Sequence, residues 1–372
     1  MSISEILHFL QSRIDAGDFP SAVYLVAERG KVVLADAVGD AVVTPEQIGA
    51  RRDTLYDLAS VTKVLVTGML AAQLVERCEI AIDRQVSSIL ERFDTADKRD
   101  ITVLDLLTHT SGLTNWLPLY LLTDDPQSVL DVIAERPIAY ARGSKVVYSD
   151  LNFIVLQAVV EKIAATSVNA AAKTMIFDPV GLKDTMFSPP SELKRRIAAS
   201  EMGNRFERQT CIDLGFIDAV EQGPFRSYQI WGEVHDGNAW FMGGTAGHAG
   251  LFSTADEVFQ MAMEFLPGHS KLLKRATCEL FTTNFTAGMN EHRSFAFQLA
   301  SSPESAAGTN MSAGSFGHLG FTGTSLWLDP VKERIFILLT NRTHHHDLPF
   351  ANINAVRRRF HELAIEALEG KI

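Results

Sequence analysis

The two ends of the chain both carry β-strand patterns beside a helix, and this feature constrains the fold more than any other. Apolar runs at residues 22–27 and 31–35 flank a turn at residues 28–30, which is typical of a β-hairpin. Residues 324–328 and 334–340 form a second pair of strands around an Asp329-Pro330 turn. Amphipathic helices precede the first pair and follow the second, and the first begins with a capping-box pattern from Ser2 to Glu5. We therefore predict an α/β (α+β) fold with one sheet built from both termini.

The middle of the chain has a different pattern. Helical periodicity appears at residues 103–107, 152–163 and 255–265, whereas residues 205–250 are rich in glycine, aromatic and polar residues and are predicted to be irregular. The sequence thus predicts a sheet domain of residues 1–77 and 285–372, and a mostly helical inserted domain of residues 78–284.

Composition excludes several classes of protein. The chain has 372 residues, of which 46% are hydrophobic and 21% charged, which is typical of a globular protein. A net charge of −11 disfavours nucleic acid and anionic membranes as partners. The three cysteines fit neither a disulfide framework nor a zinc site, and we expect no metal. Because no signal-peptide pattern or membrane-spanning apolar run is evident, we expect a cytoplasmic protein.

A serine and a lysine are paired at the start of an apolar stretch. Ser60 and Lys63 share a face if that stretch is helical, which brings an amine beside the hydroxyl. Serine becomes a nucleophile when an adjacent base takes its proton, and a desolvated lysine can be that base. The same spacing recurs at Ser191 and Lys194 in a polar stretch, and a helix start with a solvated lysine is the structural alternative. The apolar neighbours of Ser60 favour the first copy.

Two further segments carry suitable chemistry. Tyr148 follows a short extended run just before a helix, where a phenol can relay a proton or simply pack. His318 lies between Gly317 and Gly320, and glycines on a strand allow a ligand to approach the backbone. A histidine in such a run can equally be structural.

Taken in order, these three segments resemble the serine β-lactamase and penicillin-binding-protein superfamily, and more narrowly its class C branch with D,D-carboxypeptidase-like and family VIII esterase-like hydrolases. The family motifs SxxK, YxN or YxS, and K/H-x-G correspond to residues 60–63, 148–150 and 318–320. Supporting phrases occur at residues 19–23, 105–113, 247–256 and 317–330. The resemblance implies a β-lactamase/transpeptidase-like fold, with an antiparallel sheet flanked by helices and an active site in the cleft between the two domains.

The resemblance also implies roles. Ser60 would form the acyl-enzyme, Lys63 would hold or take its proton, and Tyr148 would pass the proton to the leaving group and later help to activate water. The backbone N–H groups of Ser60 and Phe321 would form the oxyanion hole. His318 and Gly320 would line the substrate site, with His318 hydrogen bonding toward Tyr148 or the substrate.

Two positions depart from the family pattern. His318 stands where β-lactamases usually have lysine, and a histidine of ordinary pKa is mostly neutral at pH 7. Asp150 stands where asparagine usually donates to the substrate carbonyl, and an ionised aspartate cannot donate. Both changes weaken a β-lactamase interpretation and suit a neutral ester or amide.

Other residues are candidates for the substrate pocket. His235 and His248 belong to a polar cluster that either lines the pocket or forms a hydrogen-bonded loop scaffold. The remaining members of that cluster are Glu233, Asp236 and Asn238. Four aromatic residues are predicted pocket walls, each of which could equally be packing: Trp116, Tyr120, Trp231 and Trp240.

The resemblance implies a serine hydrolase without a cofactor, acting on a small-molecule ester or amide. A carboxylesterase for small or medium acyl esters is the leading hypothesis. A peptidoglycan-fragment amidase, a D,D-peptidase or a weak β-lactamase is the alternative within the same class. A non-catalytic penicillin-recognising protein is the alternative from another class, and the intact Ser60, Lys63 and Tyr148 argue against it.

Overall fold

The structure, a computed structural model, describes residues 3–370, so that Ser2 of the predicted capping box lies outside the described residues. The strands are β1 (Ser21–Glu28), β2 (Lys31–Val42), β3 (Ile48–Gly49), β4 (Tyr56–Asp57), β5 (Met186–Phe187), β6 (Leu251–Ser253), β7 (Gln298–Leu299), β8 (Phe316–Leu319), β9 (Ser325–Asp329) and β10 (Arg334–Thr340). The larger sheet has the order β3-β2-β1-β10-β9-β8-β7, and a smaller sheet has the order β4-β6-β5. All neighbouring strands in both sheets are antiparallel.

Helices surround the larger sheet and fill the middle of the chain. The α-helices are α1 (Ile3–Asp15), α2 (Met69–Glu76), α3 (Val103–Thr108), α4 (Leu119–Leu122), α5 (Val129–Glu135), α6 (Asp150–Ala164), α7 (Val168–Ala172), α8 (Asp178–Val180), α9 (Arg205–Asp213), α10 (Ile217–Gln222), α11 (Gly237–Phe241), α12 (Ala255–Met263), α13 (Arg275–Cys278) and α14 (Asn354–Leu368). Short 3₁₀ turns include Ala59–Val61 and Ser191–Arg196, and π-helical segments occur at Lys63–Gly68 and Lys173–Phe177.

The central pair of strands joins the two ends of the chain. β1 pairs with β10 over its whole length, with Val23 opposite Leu339. Because side chains alternate across a strand, Ile337 and Leu339 face one hydrophobic core while Phe336 and Leu338 face another. Helices α1 and α14 cover one face, and α12 packs against β1 and β10 on the other. The predicted antiparallel sheet, built from both termini and flanked by helices, is confirmed.

The helical middle includes one helix that packs on the sheet. Helix α12 lies within residues 78–284, and its residues Val258, Met261 and Ala262 belong to the core beneath β1 and β10. Residues 205–250 were predicted to be irregular, which was wrong for α9, α10 and α11. Helix α9 has the sequence RFERQTCID. Because it contains so few apolar residues, a helical hydrophobic period is not evident in its sequence.

One helical stretch meets the length and composition needed to cross a membrane. It spans Ala59–Glu76 with a mean hydropathy of 1.2, so the expectation that no apolar run is long enough was wrong. Polar residues within the stretch, Ser60 and Lys63 among them, interrupt the apolar run in the sequence. Since 83% of this stretch is buried inside the protein, we interpret it as a core helix.

Several histidines are buried as neutral rings, which makes stability depend on pH. Burial lowers the pKa of His344 to about 4 and that of His361 to about 3, against an ordinary value near 6.5. The unfolded chain then binds more protons than the folded one below pH ~6.5, so the free energy of unfolding falls as the solution is acidified. We expect a loss of about 1.4 kcal/mol per pH unit for each such ring between pH ~6.5 and its folded pKa. Urea unfolding at pH 7.5, 6 and 5 measures it.

A matched pair of variants isolates one ring. His361 hydrogen bonds through Nδ1 to the Ala306 carbonyl, and glutamine can donate the same bond without titrating. His361→Gln should therefore reduce the pH slope by about one proton. His8 is exposed on α1, and His8→Gln should leave the slope unchanged. Equal slopes in wild type and His361→Gln would refute the assignment.

Candidate active site

Ser60 lies at a backbone bend that precedes a buried helix. Ala59 has a left-handed φ of 46°, and its N–H donates to Asp57 Oδ1 at 2.8 Å. A non-glycine residue in this region is strained, and such strain is concentrated at functional sites. The 3₁₀ turn Ala59–Val61 leads into the π-helical segment Lys63–Gly68, a geometry also common at functional sites. Ser60 is thereby displayed at the start of the helix and lines a cavity.

Lys63 is completely buried beneath that serine and makes three polar contacts. Its Nζ donates to Ser60 Oγ at 2.9 Å and to the His248 carbonyl at 3.0 Å. It also forms an ion pair with Asp150 Oδ1 at 2.7 Å, with the Lys63 side chain 0% and the Asp150 side chain 18% exposed. The charge of Asp150 is therefore compensated by the protein itself.

The ion pair determines the protonation of the group next to Ser60. Burial opposes the charged form of Lys63, but the neighbouring Asp150 and Tyr148 outweigh burial and raise the pKa of Lys63. Burial also raises the pKa of the Tyr148 phenol, and the Lys63 ammonium offsets only part of that rise. At neutral pH the site therefore contains an ammonium, a carboxylate and a neutral phenol.

Residues 105–113 position Tyr148 through contacts that His109 makes. His109 is buried in a left-handed conformation, and its ring centroid lies 4.7 Å from that of Tyr148. Its carbonyl accepts from Val147 N–H at 2.9 Å, and its Nδ1 accepts from Ser149 N–H at 3.1 Å. These bonds hold the residues on both sides of Tyr148. Among residues 3–370, no group makes a hydrogen bond of good geometry with the Tyr148 hydroxyl.

Two backbone N–H groups are available where an oxyanion hole is predicted. Within the described part of the chain, the N–H groups of Ser60 and Phe321 donate to no other group. The segment around Phe321 is fixed against the start of the Ser60 helix, because Thr322 Oγ1 donates to the Asp57 carbonyl at 2.7 Å and Thr324 Oγ1 donates to the Leu58 carbonyl at 3.0 Å. Both N–H groups can therefore bind an external oxygen.

His318 is a neutral ring on β8. Burial, followed by the Lys63 and Arg293 cations, lowers the pKa of His318 well below its usual value. Its Nδ1 donates to the Leu319 carbonyl at 2.9 Å, which leaves Nε2 as an unpartnered acceptor among the described residues. His318 makes no hydrogen bond to Tyr148, since the ring centroids of the two residues lie 5.8 Å apart. The alternative, a hydrogen bond from His318 to the substrate, stays a prediction.

These groups surround a cavity of about 840 Å³. Most of the residues predicted for the site line it: Ser60, Trp116, Tyr148, Asp150, His235, His318, Gly320 and Phe321. Residues from both ends of the chain and from its helical middle thus meet at one cavity.

Other predicted residues lie elsewhere. His248 does not line the cavity and contacts the site through its carbonyl, while its Nε2 lies 3.0 Å from Asp236 Oδ1.

Three of the aromatic residues predicted as pocket walls also lie away from the cavity. Tyr120 is buried and donates a hydrogen bond to the side chain of Glu207. Trp231 and Trp240 pack in a separate apolar cluster and donate to the Ile197 carbonyl and to Glu233. These three aromatic residues do not line the cavity, and packing, the alternative interpretation, describes them.

Several cavity residues were not predicted from the sequence. Arg293 is 5% exposed, lies with its guanidinium carbon 5.5 Å from the Tyr148 ring centroid, and pairs with Glu291 at 2.6 Å. Burial, followed by the nearby Asp236 carboxylate, raises the pKa of Glu207 to about 7. No motif marks these residues, because tertiary structure alone brings them to the cavity. Among residues 3–370 there is no cluster of three or more His, Cys, Asp or Glu side chains suited to a metal ion.

The chain is similar to known proteins over most of its length. The profile of the family described as Beta-lactamase matches residues 8–358. Relatives from Salmonella heidelberg (strain SL476) and Salmonella typhi are 30% and 31% identical, over 92% of this chain and 83% of their own length. Each is named "Putative D-alanyl-D-alanine carboxypeptidase".

Solved structures with the same fold have lower identity. EstCE1, described as a hydrolase with promiscuous acyltransferase activity, has a TM-score of 0.74 at 22% identity and covers 96% of this chain and 98% of its own. An octameric penicillin-binding protein homologue from Pyrococcus abyssi has a TM-score of 0.72 at 17% identity, covering 100% and 78%. A class C beta lactamase from Rhodobacter sphaeroides has a TM-score of 0.70 at 17% identity, covering 98% and 99%. The chain belongs to the beta-lactamase family, within the superfamily of serine hydrolases that includes the penicillin-binding proteins.

Proposed function

We propose that the protein is a carboxylesterase that forms an acyl-enzyme on Ser60 with small or medium acyl esters. The observation that carries the proposal is the chain of contacts from Ser60 through Lys63 to Asp150, beside the two N–H groups of Ser60 and Phe321. A substrate carbonyl at Ser60 Oγ would direct its oxygen to those donors. One such donor typically contributes about 3 kcal/mol to lowering the barrier.

The protonation state suggests the route of the first proton. Lys63 is already an ammonium, so it can accept the Ser60 proton only while it passes one of its own protons to Asp150. In this step the Ser60 O–H bond breaks, one N–H bond forms and another breaks at Lys63, and an O–H bond forms at Asp150. Asp150 is thus the net acceptor, and Lys63 stays cationic beside the developing oxyanion.

Tyr148 would act on the leaving group. It is a neutral phenol whose hydroxyl makes no hydrogen bond of good geometry among residues 3–370, so its proton is available to a leaving alkoxide. The proton on Asp150 can return through Lys63 to restore the phenol. Water that enters opposite the acyl group would then give a proton to Tyr148 while the phenol passes its own proton through Lys63 to Asp150. As the acid leaves, the proton on Asp150 would return through Lys63 to Ser60 Oγ.

The balance of charge around Ser60 supports a neutral ester. Asp150 is neutralised by Lys63, Arg293 is paired with Glu291, and His318 is a neutral ring. The D,D-carboxypeptidase activity named for the Salmonella relatives is the second candidate. It is favoured by the guanidinium of Arg293, whose Nε lacks a partner among the described residues and could bind a substrate carboxylate.

The test compares wild type and Ser60→Ala on p-nitrophenyl butyrate, on a peptide ending in D-Ala-D-Ala, and on a chromogenic β-lactam. Ester turnover that disappears in Ser60→Ala supports the carboxylesterase. Turnover confined to the peptide would replace it with the second candidate, and turnover confined to the β-lactam would make the protein a weak β-lactamase. Ester turnover that survives in Ser60→Ala would contradict the mechanism. Stable labelling of Ser60 without turnover would favour a non-catalytic penicillin-recognising protein.

A further inference from the structure

Three phenylalanine side chains meet in the cavity beside the predicted oxyanion hole. The ring centroid of Phe321 lies 4.8 Å from that of Phe206 and 6.0 Å from that of Phe350, and the last two lie 5.8 Å apart. All three rings line the cavity and none is fully buried. Phenylalanine side chains that pack only for stability are usually removed from solvent, so rings open to a cavity indicate a binding surface.

Helix α9 extends this surface toward solvent. Phe206, Thr210 and Leu214 follow one another at four-residue spacing on one face, and all three line the cavity. Leu214, just past the end of the helix, is 55% exposed. The surface that begins at the phenylalanines therefore continues along α9 to Leu214, an apolar side chain that is open to solvent.

The Phe321 ring is held in place by two neighbouring side chains. The guanidinium carbon of Arg342 lies 4.9 Å from the Phe321 ring centroid, and His235 stacks on the ring at 5.4 Å with an interplanar angle of 20°. Arg342 also donates to the Phe321 carbonyl at 2.7 Å. Because these contacts are made by the protein itself, the surface exists before a ligand arrives and binding it costs little ordering.

We propose that Phe206, Phe321, Phe350 and Leu214 form an acyl subsite, which binds the hydrocarbon chain of the acyl group of an ester. The proposal rests on the proposed carboxylesterase function. The leaving group must face its proton donor Tyr148, whose ring neighbours are His109, His318, Lys63 and Arg293. The ring neighbours of Phe321 include none of these residues. With the carbonyl oxygen at the Phe321 N–H, the acyl chain is thus directed toward the phenylalanines.

The test is a series of p-nitrophenyl esters from acetate to octanoate. Each methylene that enters an apolar subsite should raise kcat/KM about two- to fourfold until the chain reaches solvent past Leu214. Leu214→Ser and Phe206→Ala should each lower the octanoate-to-acetate ratio of kcat/KM at least about fivefold. Ile217 on the neighbouring helix α10 is 60% exposed and does not line the cavity, so Ile217→Ser should keep the wild-type ratio.

A binding measurement keeps this test separate from the test of the function. The same chain-length series of n-alkylboronic acids, which add reversibly to a nucleophilic serine, can be titrated by calorimetry against wild type and Leu214→Ser. A Kd that falls with alkyl length in wild type but less steeply in Leu214→Ser supports the subsite even if esters prove to be poor substrates. Ester turnover or boronate affinity that is independent of chain length would overturn the subsite and leave the Ser60 mechanism intact.

Discussion

Replacing Lys63 by methionine is expected to lower kcat/KM on a turned-over ester by about 10³-fold, because general acid–base catalysis by one positioned group contributes about 10²–10⁴-fold. The same change leaves Asp150 beside an apolar side chain of similar length. Removing one partner of a buried ion pair costs about 3–5 kcal/mol, and since Asp150 is 18% exposed we expect about 3 kcal/mol at pH 7. Steady-state kinetics and urea unfolding measure the two effects.

A double variant separates the catalytic loss from the loss of stability. In Lys63→Met/Asp150→Asn no unpaired charge remains, so most of the lost unfolding free energy should return. The rate should not return, because no group is left to take the Ser60 proton. Recovery of activity together with stability would mean that Lys63 has only a structural role.

Asp150→Asn is expected to change the pH dependence of the enzyme as well as its rate. Without the carboxylate, Tyr148 alone opposes the effect of burial, and the pKa of Lys63 falls from the raised value that it has beside Asp150. At pH 7 the net proton acceptor is missing, and we expect kcat/KM to fall about 10²-fold. As the pH rises through the lowered pKa, a neutral lysine becomes available as a base and part of the rate should return. The wild-type profile should lack this rising limb.

The chain offers a matched control for that experiment. Lys173 and Asp178 form an ion pair at 2.7 Å, the same distance as between Lys63 and Asp150, but both side chains are more than half exposed. Asp178→Asn should leave the pH profile unchanged and cost less than about 1 kcal/mol of stability. If Asp150→Asn and Asp178→Asn both gave the wild-type profile, Asp150 would have no part in the proton route.

The sheet could be predicted from the sequence because its strands have a strong local signal. β1 and β10 are apolar runs bounded by turns, and covering both of their faces requires helices of the kind found at each end. The serine, lysine and tyrosine of the site could also be predicted, since Ser60 and Lys63 share one helical face and Tyr148 begins the second family motif.

The rest of the site depends on contacts that have no local signal. Asp150 was interpreted as a charge facing the substrate, because nothing in the sequence indicates that it pairs with Lys63. His248 contributes its carbonyl, and a backbone atom is independent of side-chain type. Phe206 and Phe350 reach the cavity from different parts of the chain, so no spacing relates them to Phe321.

The pairing of β1 with β10 has a consequence for folding. These central strands come from opposite ends of the chain, so their contacts are among the most non-local in the molecule, and contacts of that kind form slowly. During synthesis β1 has β2 on one edge, while its other edge stays unpaired until the last part of the chain emerges. An apolar strand with an open edge can pair with other chains. Self-association of incomplete chains therefore competes with folding throughout most of translation.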